Sequence, residues 1–414
     1  MTIRPAQQKN ENPIISLISD SCHAICETER GGGTLASSHM KHSGALIAVV
    51  LAFLPLCAFG EQQKAQWKGK TVKEADLTIV ENPAKPLYGE LVLELAEDLA
   101  IGNPEDDDYS FNRVRGLAVD TLGNIFASDA DEGRVQEFDF QGRYVRTIGR
   151  SVLRQPMKIL LNEENGLLYV LDDSRLKIFD MKGSSVAQMP VGPFDFFLGP
   201  KGNIFTVTYP PDNVASFGEV SADGKLLQEF ARFPYEPKVM GVFEGMLPGD
   251  GRSGTEYDLF AAQIDSQTLI YGYSREYKLS VIDDHGKITL EIRKDEPYRK
   301  FKRSLRRSQM GPLLPPHQPF FHSLFTDGEG LIFLQKNFPT IIVDKRCDVF
   351  SRDGYFLYET TIPSGILMIR GGYLYAFESG KIHDRPARFI KRYKIKNWQS
   401  IKKGIESQAS DAST

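Results

Sequence analysis

The clearest alternation of hydrophobic and polar positions lies in residues 115–149, RGLAVDTLGNIFASDADEGRVQEFDFQGRYVRTIG. It predicts four short strands, which read GLAVD, NIFASD, RVQEFD and RYVRTIG. Residues 120–123 separate the first two and residues 140–142 the last two. Glycine permits positive φ in these turns, and aspartate hydrogen-bonds to the turn backbone. Four short strands joined by tight turns are typical of one blade of a β-propeller.

Two landmarks of this unit recur in strict alternation along the chain, which indicates an internal repeat. The first is Gly-x-aliphatic-aromatic, at the start of the second strand. It begins at Gly123, Gly166, Gly202, Gly330 and Gly372 and, without its glycine, at Thr268. The second closes the third strand and has the full form apolar-Phe-Asp-x-x-Gly. It appears at Phe138-Asp139, Phe179-Asp180, Val220-Ser221, Ile282-Asp283 and Phe350-Ser351, with a degenerate sixth copy from Tyr393. Six copies predict an all-β, six-bladed β-propeller with four-stranded blades.

The sixth repeat lacks a fourth strand, because the chain after residue 398 is short and polar. An unpaired edge would otherwise remain in the ring. The segment at about residues 87–95, LYGELVLEL, has the same turn-then-strand form as the fourth strand of the first repeat. We therefore predict that this N-terminal strand completes the last blade and closes a propeller domain of residues 87–398.

The intervals between landmarks predict where long loops gather. Two intervals exceed the length of about 40 residues that a blade needs, and they place insertions at residues 232–256 and 293–320. Both insertions connect the outer strand of one blade to the inner strand of the next. The connections at residues 209–216, 335–346 and 378–388 join second to third strands on the same side. We call this side the loop-rich face and the opposite side, with its tight turns, the plain face; binding is expected on the former.

The N-terminal region has the layout of an export signal. Residues 1–39 show no sustained apolar period, and we expect disorder there or translation that starts at Met40. Residues 40–60 contain a short basic start, an apolar run and a small-x-small end, which predicts a signal peptide cleaved after Gly60. The alternative is an uncleaved signal anchor at residues 44–59, the one predicted membrane contact. Residues 61–86 form a polar lead-in along the outside of the ring, and residues 399–414 a disordered tail. A periplasmic or secreted location follows.

Composition narrows the functional classes. The net charge of −4 gives no reason to expect nucleic-acid binding. Only Cys347 would remain in a mature chain, so no internal disulfide can form, and a monomer is expected. The sequence contains no nucleophile elbow, no phosphate-binding loop, no dinucleotide fingerprint and no zinc-protease helix.

Basic residues provide the first candidate site. The insertion at residues 293–320 carries eight arginines and lysines before residue 308 against two acids, and Arg299 and Arg303 are its central members. The starts of the inner strands add Arg113, Arg115 and Lys158 on the same face. Together with His322, these residues predict a surface for an anionic ligand. The alternative is a solvated charged loop.

Histidines provide the second candidate site. His317, His322 and His383 all map to the loop-rich face, and His322 aligns with Arg115 at the mouth of the central channel. Three imidazoles could hold Zn²⁺ and leave a position for water. Their spacing is irregular, so the prediction is no cofactor, with Zn²⁺ or Ca²⁺ as the alternative.

Residues 115–149 resemble an NHL repeat, and the resemblance weakens to the two landmarks in later repeats. The whole chain is similar to exported bacterial six-bladed propellers of the NHL or TolB-like kind. This resemblance implies fold and export, and it leaves activity open because lactonases and an amidating lyase also use such propellers. The leading hypothesis is a non-catalytic binding or scaffold protein that engages a protein segment, an anionic carbohydrate or a small molecule. The alternative is a metal-dependent hydrolase or lyase with its site at the channel mouth.

Overall fold

The computed structural model describes residues 67–173, 175–189, 195–208, 214–234, 257–301, 316–336, 345–363 and 365–402. The predicted leader and signal segment, residues 61–66 of the lead-in and residues 403–414 of the tail therefore lie outside the described residues, whereas residues 399–402, predicted as disordered tail, are helical. Within the described ranges the chain is almost entirely β-structure. No helix in them has both the length and the apolar character needed to cross a membrane.

The N-terminal part of the propeller unit, residues 67–101, runs along the outer edges of three blades, and we call it the belt. It contains four strands: β1 (Lys70–Glu74), β2 (Leu77–Asn82), β3 (Glu90–Leu91) and β4 (Leu95–Ile101). β1 and β2 form an antiparallel hairpin. The predicted lead-in thus lies outside the ring, as two ordered strands.

The first three blades are four-stranded antiparallel sheets. Blade 1 contains β5 (Val114–Val119), β6 (Ile125–Asp129), β7 (Arg134–Phe138) and β8 (Tyr144–Ile148). Blade 2 contains β9 (Pro156–Asn162), β10 (Leu167–Asp172), β11 (Arg175–Asp180) and β12 (Ser185–Met189). Blade 3 contains β13 (Phe196–Leu198), a 3₁₀ turn (Pro200–Gly202), β14 (Ile204–Thr208), β15 (Val214–Val220) and β16 (Leu226–Pro234).

The last three blades each receive strands from the belt. Blade 4 contains β17 (Leu259–Asp265), β18 (Thr268–Tyr273), β19 (Lys278–Ile282) and β20 (Ile288–Lys294), and β2 pairs in parallel with β20. Blade 5 contains β21 (Ser323–Thr326), β22 (Ile332–Gln335), β23 (Lys345–Phe350) and β24 (Phe356–Ile362), and β3 pairs in parallel with β24. Blade 6 contains β25 (Ile366–Arg370), β26 (Tyr373–Ile382) and β27 (Arg385–Ile395), and β4 pairs antiparallel with β27. Residues 398–402 begin a helix.

The six blades form a closed ring, as the sequence predicts. The inner strands contact one another in the cyclic order β5, β9, β13, β17, β21, β25 and back to β5. Six buried clusters fill the six spaces between neighbouring blades. The recurring aromatics of the first landmark all lie in these clusters: Phe126, Tyr169, Phe205, Tyr271, Phe333 and Tyr375. These side chains are packing residues, and burying each of them contributes about 1.5–3 kcal/mol.

The closing strand is N-terminal, as predicted, but its position differs. β4 at Leu95–Ile101 completes blade 6, whereas Glu90–Leu91 adds a fifth strand to blade 5. β4 is held there by apolar packing and by charge. Ile101 is buried in the cluster between blades 6 and 1, with Leu99 packed against it. Glu97 of β4 binds Lys391 at 2.8 Å and Asp98 binds Arg392 at 2.6 Å, both on β27. The two acids in the middle of β4 interrupt the apolar alternation that identified residues 87–95.

The predicted loop at residues 378–388 is also corrected. β26 and β27 continue through it as a regular antiparallel hairpin, and Ile382 pairs with Arg385. His383 and Asp384 form the two-residue turn, and both have positive φ values, of 47° and 65°. Two-residue turns with positive φ match the right-handed twist of the flanking strands, so the hairpin extends further than the sequence indicates.

Candidate functional site

The inner strands of all six blades enclose a central cavity of about 820 Å³. Its wall includes residues at the beginnings of these strands, such as Arg115 and Lys158, and residues just beyond their ends, such as Thr121 and Glu163. The cavity therefore extends along the channel from the loop-rich face to the plain face. Most ligand pockets of small molecules fall in the range of about 300–1,000 Å³.

Aliphatic residues of the inner strands lie along the middle of the cavity wall. Each inner strand contributes at least one of them: Leu117, Leu160, Leu198, Ala262, Leu324 and Ile369. Inner strands are rich in such residues because neighbouring blades cover them on both sides, and Leu198, Leu324 and Ile369 are themselves buried between blades. Charged side chains lie toward the two ends. A ligand would thus meet aliphatic residues between two charged mouths, in a cavity whose exposed surface is about half polar.

Lys158 and Asp195 form the main ion pair at the loop-rich end. The Lys158 ammonium lies 2.7 Å from Asp195 Oδ1 and 4.0 Å from the centre of the Phe197 ring. Asp195 Oδ1 also accepts a hydrogen bond from the backbone N–H of Phe196. Carboxylate and ring face together fix the position of the ammonium in a half-buried setting. Arg115, on the neighbouring inner strand β5, lines the same cavity. Two of the predicted cations therefore share the cavity wall.

Arg113 is directed toward its own blade. Its guanidinium pairs with Asp131 at 2.5 Å, and its backbone N–H donates to Asp129 Oδ1 at 2.9 Å. Asp129 is the last residue of β6, and its carboxylate binds the backbone of the segment that leads into β5. In blade 2, Asp172 does the same for the backbone N–H groups of Arg154 and Gln155. The recurrent aspartate that ends the second strand is therefore structural, and Arg113 is not among the cavity-lining residues.

The three candidate histidines lie in separate environments. His317 packs between Tyr298 and Tyr257, with ring centres 4.3 Å and 5.1 Å away. His322 donates its backbone N–H to the Gln335 carbonyl just before β21 and is not part of the cavity wall, although Ser323 is. His383 is exposed in the β26–β27 turn. Among the described residues, no three His, Cys, Asp or Glu side chains are grouped in a way that could hold a metal ion.

The basic insertion is partly neutralised by its own acids. Arg299 pairs with Glu296 at 2.6 Å, and Arg293 pairs with Glu291. Lys294 is almost fully buried and binds Asp348 at 2.7 Å and Glu296 at 3.0 Å. Arg303 lies outside the described residues. Three of the four described basic residues of the run are thus paired with acids, and Lys294 connects blade 4 to blade 5.

Lys294 belongs to a buried ionic cluster between these blades. Asp348, which is fully buried, also binds Lys336 at 2.7 Å and accepts a hydrogen bond from the Tyr277 hydroxyl. Burial opposes a charge on Lys336, but the attraction of Asp348 outweighs burial and raises the pKa of Lys336. Burial and the neighbouring Asp348 both raise the pKa of Tyr277 well above its ordinary value. The cluster has no opening to the cavity wall and is a structural connection.

The plain end of the cavity contains charged residues that the repeat pattern does not reveal. Glu163 and Arg370, from blades 2 and 6, pair at 2.8 Å, and both line the cavity. Asp265 of blade 4, which also lines the cavity, pairs with Arg352 at 2.5 Å. Asp327 accepts hydrogen bonds from the backbone N–H groups of Glu329 and Leu331. Burial of this carboxyl outweighs these bonds and raises the pKa of Asp327.

No family model matches the sequence, and no curated protein matches it. Solved structures are similar to the chain in fold. One is a putative exported protein from Bacteroides fragilis, with 9% identity, a TM-score of 0.48 and coverage of 76% of this chain and 99% of that chain. Another is a member of the DUF4221 family from Bacteroides vulgatus, with 13% identity, a TM-score of 0.43 and coverage of 73% and 98%. A third is virginiamycin B lyase from Staphylococcus aureus, with 13% identity, a TM-score of 0.39 and coverage of 73% and 89%. At these identities the similarity does not extend to function.

Proposed function

We propose that this protein is a non-catalytic binding propeller that takes a small anionic ligand with an apolar body into its central channel from the loop-rich face. The observation that carries the proposal is the cavity of about 820 Å³, with Lys158 and Arg115 in its wall at that end. The apolar middle of the wall would hold the body of the ligand. The two cations would select its charge.

The pairing of Lys158 with Asp195 is compatible with this role. An ammonium has three N–H donors and can serve several acceptors at once. Asp195 and the Phe197 ring hold Lys158 in place, so little side-chain entropy is lost when a ligand oxygen arrives. The surrounding apolar wall lowers the local dielectric and strengthens the attraction between Lys158 and an anion. These features favour recognition by charge and shape, and none of them requires a reaction at the site.

The test uses 1-anilinonaphthalene-8-sulfonate, a fluorescent anion with an aromatic body, titrated into residues 61–414. We expect saturable binding of one probe per chain. The double substitution Lys158→Met and Arg115→Met should weaken it at least tenfold, equivalent to about 1.4 kcal/mol. Lys225→Met is the matched control, because Lys225 is an exposed lysine in a plain-face turn. Equal affinity for the double variant and the parent would refute channel binding.

We further propose that the protein acts after export, on the basis of the signal-like layout of residues 40–60. The expected mature N-terminus is Glu61. N-terminal sequencing of the protein recovered from cell fractions measures this directly. If the membrane fraction contains protein that still carries residues 44–59, the segment is an uncleaved membrane anchor and the proposed cleavage is refuted.

A further inference from the structure

The plain end of the channel contains a complete set of donors for one carboxylate. Arg370 Nη2 donates to Glu163 Oε1 at 2.8 Å. The backbone N–H and the hydroxyl of Thr121 donate to the other oxygen, Glu163 Oε2, at 2.8 Å and 2.6 Å. We call Arg370 and Thr121 the carboxylate cradle. Its donors come from blades 6 and 1, whereas the carboxylate that fills it comes from blade 2.

The Thr121 half of the cradle is held in position without the help of Glu163. Thr121 lies in the turn between β5 and β6, which is closed by the hydrogen bond from Gly123 N–H to the Asp120 carbonyl. Asp120 Oδ1 additionally accepts the Asn124 N–H at 2.7 Å. Arg370, the last residue of β25, adds a charge-assisted hydrogen bond from its guanidinium. Because the turn fixes the Thr121 donors, they lose little entropy when they bind an anion.

Glu163 is a weakly held occupant. Its side chain and that of Arg370 are 31% and 34% exposed, and exposed ion pairs contribute little to stability. Glu163 also lies in an exposed turn, since Glu164 and Asn165 beside it are exposed. Breaking the pair therefore does not require a buried charge to lose its partner. A carboxylate from outside that displaces the glutamate therefore leaves no buried charge behind.

We propose that the cradle is a carboxylate-binding site for one end of the channel ligand and that Glu163 occupies it as a built-in competitor. The proposal rests on the proposed function insofar as it places the ligand in the channel. Lys158 and Glu163 are five residues apart along β9 and the turn after it, which corresponds to about 16 Å of extended chain. A ligand that reaches both ends is elongated, with a carboxylate at the plain end and a second anionic group near Lys158.

The competitor sets the concentration range in which the site responds. A tethered group acts at an effective concentration of the order of millimolar. A free carboxylate must compete with Glu163 at this effective concentration, so a ligand with a single carboxylate binds the parent protein poorly. A ligand anchored at the Lys158 end gains the same tethering advantage and displaces Glu163. The arrangement favours long ligands with two anionic groups over short ones.

The experiment empties the cradle with Glu163→Ala and measures acetate binding by the shift in melting temperature, with chloride replacing acetate at constant ionic strength. We expect acetate to bind Glu163→Ala at least tenfold more tightly than the parent. The double variant Glu163→Ala with Arg370→Met removes the guanidinium and should lose this gain. Glu163→Gln keeps a side chain of equal size in place and should respond less than Glu163→Ala. Isothermal titration of the same variants covers the case in which Glu163→Ala melts at too low a temperature.

Equal acetate response in Glu163→Ala and in the double variant would overturn the proposal. This test is independent of Lys158, because it probes the plain end with a ligand too short to reach the other end. If acetate binds the emptied cradle while the naphthalene sulfonate fails to bind the channel, the carboxylate site stands and the proposed channel function falls. The two proposals can thus fail separately.

Discussion

Blades 4–6 and blades 1–3 differ in what covers their outer edges. The belt adds β1 and β2 to blade 4, β3 to blade 5 and β4 to blade 6. Blades 1–3 end at β8, β12 and β16, whose exposed side chains include Val145, Val186 and Leu227. The same four-stranded unit therefore occurs with and without an added edge. In blades 1–5 the repeat alone supplies four strands, to which the belt adds outer strands in blades 4 and 5, whereas blade 6 needs β4 of the belt as its fourth strand.

The belted half also has buried polar connections between blades. Asn82 of β2 donates to the carbonyls of Arg293 and Gly354 and accepts the N–H of Phe356, which connects blade 4 to blade 5. The buried cluster around Asp348 joins the same two blades. In the bare half, the space between blades 1 and 2 is filled by an apolar cluster. Stability should therefore respond most strongly to changes in the belted half.

The largest effect is expected from removing the belt. A chain that begins at residue 102 lacks the outer strand of blade 6 and leaves Lys391 and Arg392 without Glu97 and Asp98. We expect loss of cooperative thermal unfolding, measured by near-ultraviolet circular dichroism. A chain that begins at residue 84 is the control; it lacks only the β1–β2 hairpin and should fold with a lower melting temperature. A cooperative transition in the shorter chain would contradict the closing role of β4.

Asp348→Asn tests the buried cluster. The substitution leaves Lys294 and Lys336 buried without their shared carboxylate, and removing one partner of a buried ion pair costs about 3–5 kcal/mol. Urea unfolding measures the change in the free energy of unfolding. Asp223→Asn, at an exposed turn of the bare half, should stay within about 0.5 kcal/mol of the parent. Similar values for the two variants would remove the distinction between the halves.

Asn82→Ala tests the connection made by β2. It leaves two buried carbonyls and one N–H without this partner, and each unsatisfied buried group costs about 1–3 kcal/mol. Since water can reach part of this edge, we expect a total loss of about 2–4 kcal/mol in the free energy of unfolding. Asn165→Ala, in an exposed turn of blade 2, is the matched control and should change stability by less than about 0.5 kcal/mol. A loss no greater than that of the control would show that the belt does not fasten blades 4 and 5.

Glu296→Gln tests a pH dependence of stability that arises in the belted half. Burial alone would raise the pKa of Glu296, but Lys294 and Lys336 outweigh it and lower the pKa below the ordinary value of 4.5. A lowered folded-state pKa stabilises the protein above the unfolded-state value, and the contribution is lost as the pH falls through the folded-state value. The stability difference between parent and variant should be constant above about pH 5 and shrink below about pH 4.5. A difference that grows on acidification would reverse this sign.

The smallest effect is expected at the bare edges. Leu227→Lys replaces a side chain that is 62% exposed on β16, so the free energy of unfolding should change by less than about 0.5 kcal/mol. Size-exclusion chromatography should show an unchanged elution volume. A large loss of stability, or a changed oligomeric state, would reveal that the edge of blade 3 is covered in solution.

The fold could be predicted from the sequence because its determinants are local. Phe126 and its five counterparts recur at fixed positions, and tight turns need glycine and aspartate at fixed places. The closing strand was misplaced because β4 carries Glu97 and Asp98 between its apolar residues, and their partners lie nearly 300 positions away. Long-range charge pairing leaves no periodic pattern in the sequence.

The candidate site was predictable only in part. Arg115 and Lys158 were identified because both begin inner strands, a position that the repeat defines. Asp195, Glu163 and Arg370 were not, because their roles depend on which blades stand opposite one another in the ring. The three histidines were predicted to map to one face without evidence that they converge, and the structure places His317 and His322 in separate environments. Residues that build each repeat are therefore easier to infer from the sequence than residues of different blades that meet in the central channel.

The position of β4 has a consequence for the order of folding. Its partner β27 is the last strand of the ring, and the contact between Asp98 and Arg392 spans 294 residues. β4 is synthesised before β5 to β27, and it therefore completes its sheet only after the last blade is made. Proteins dominated by such distant contacts fold slowly, because a long loop must close before any contact rewards it. We expect ring closure to be the slow kinetic step, with the blades forming earlier as an open arc.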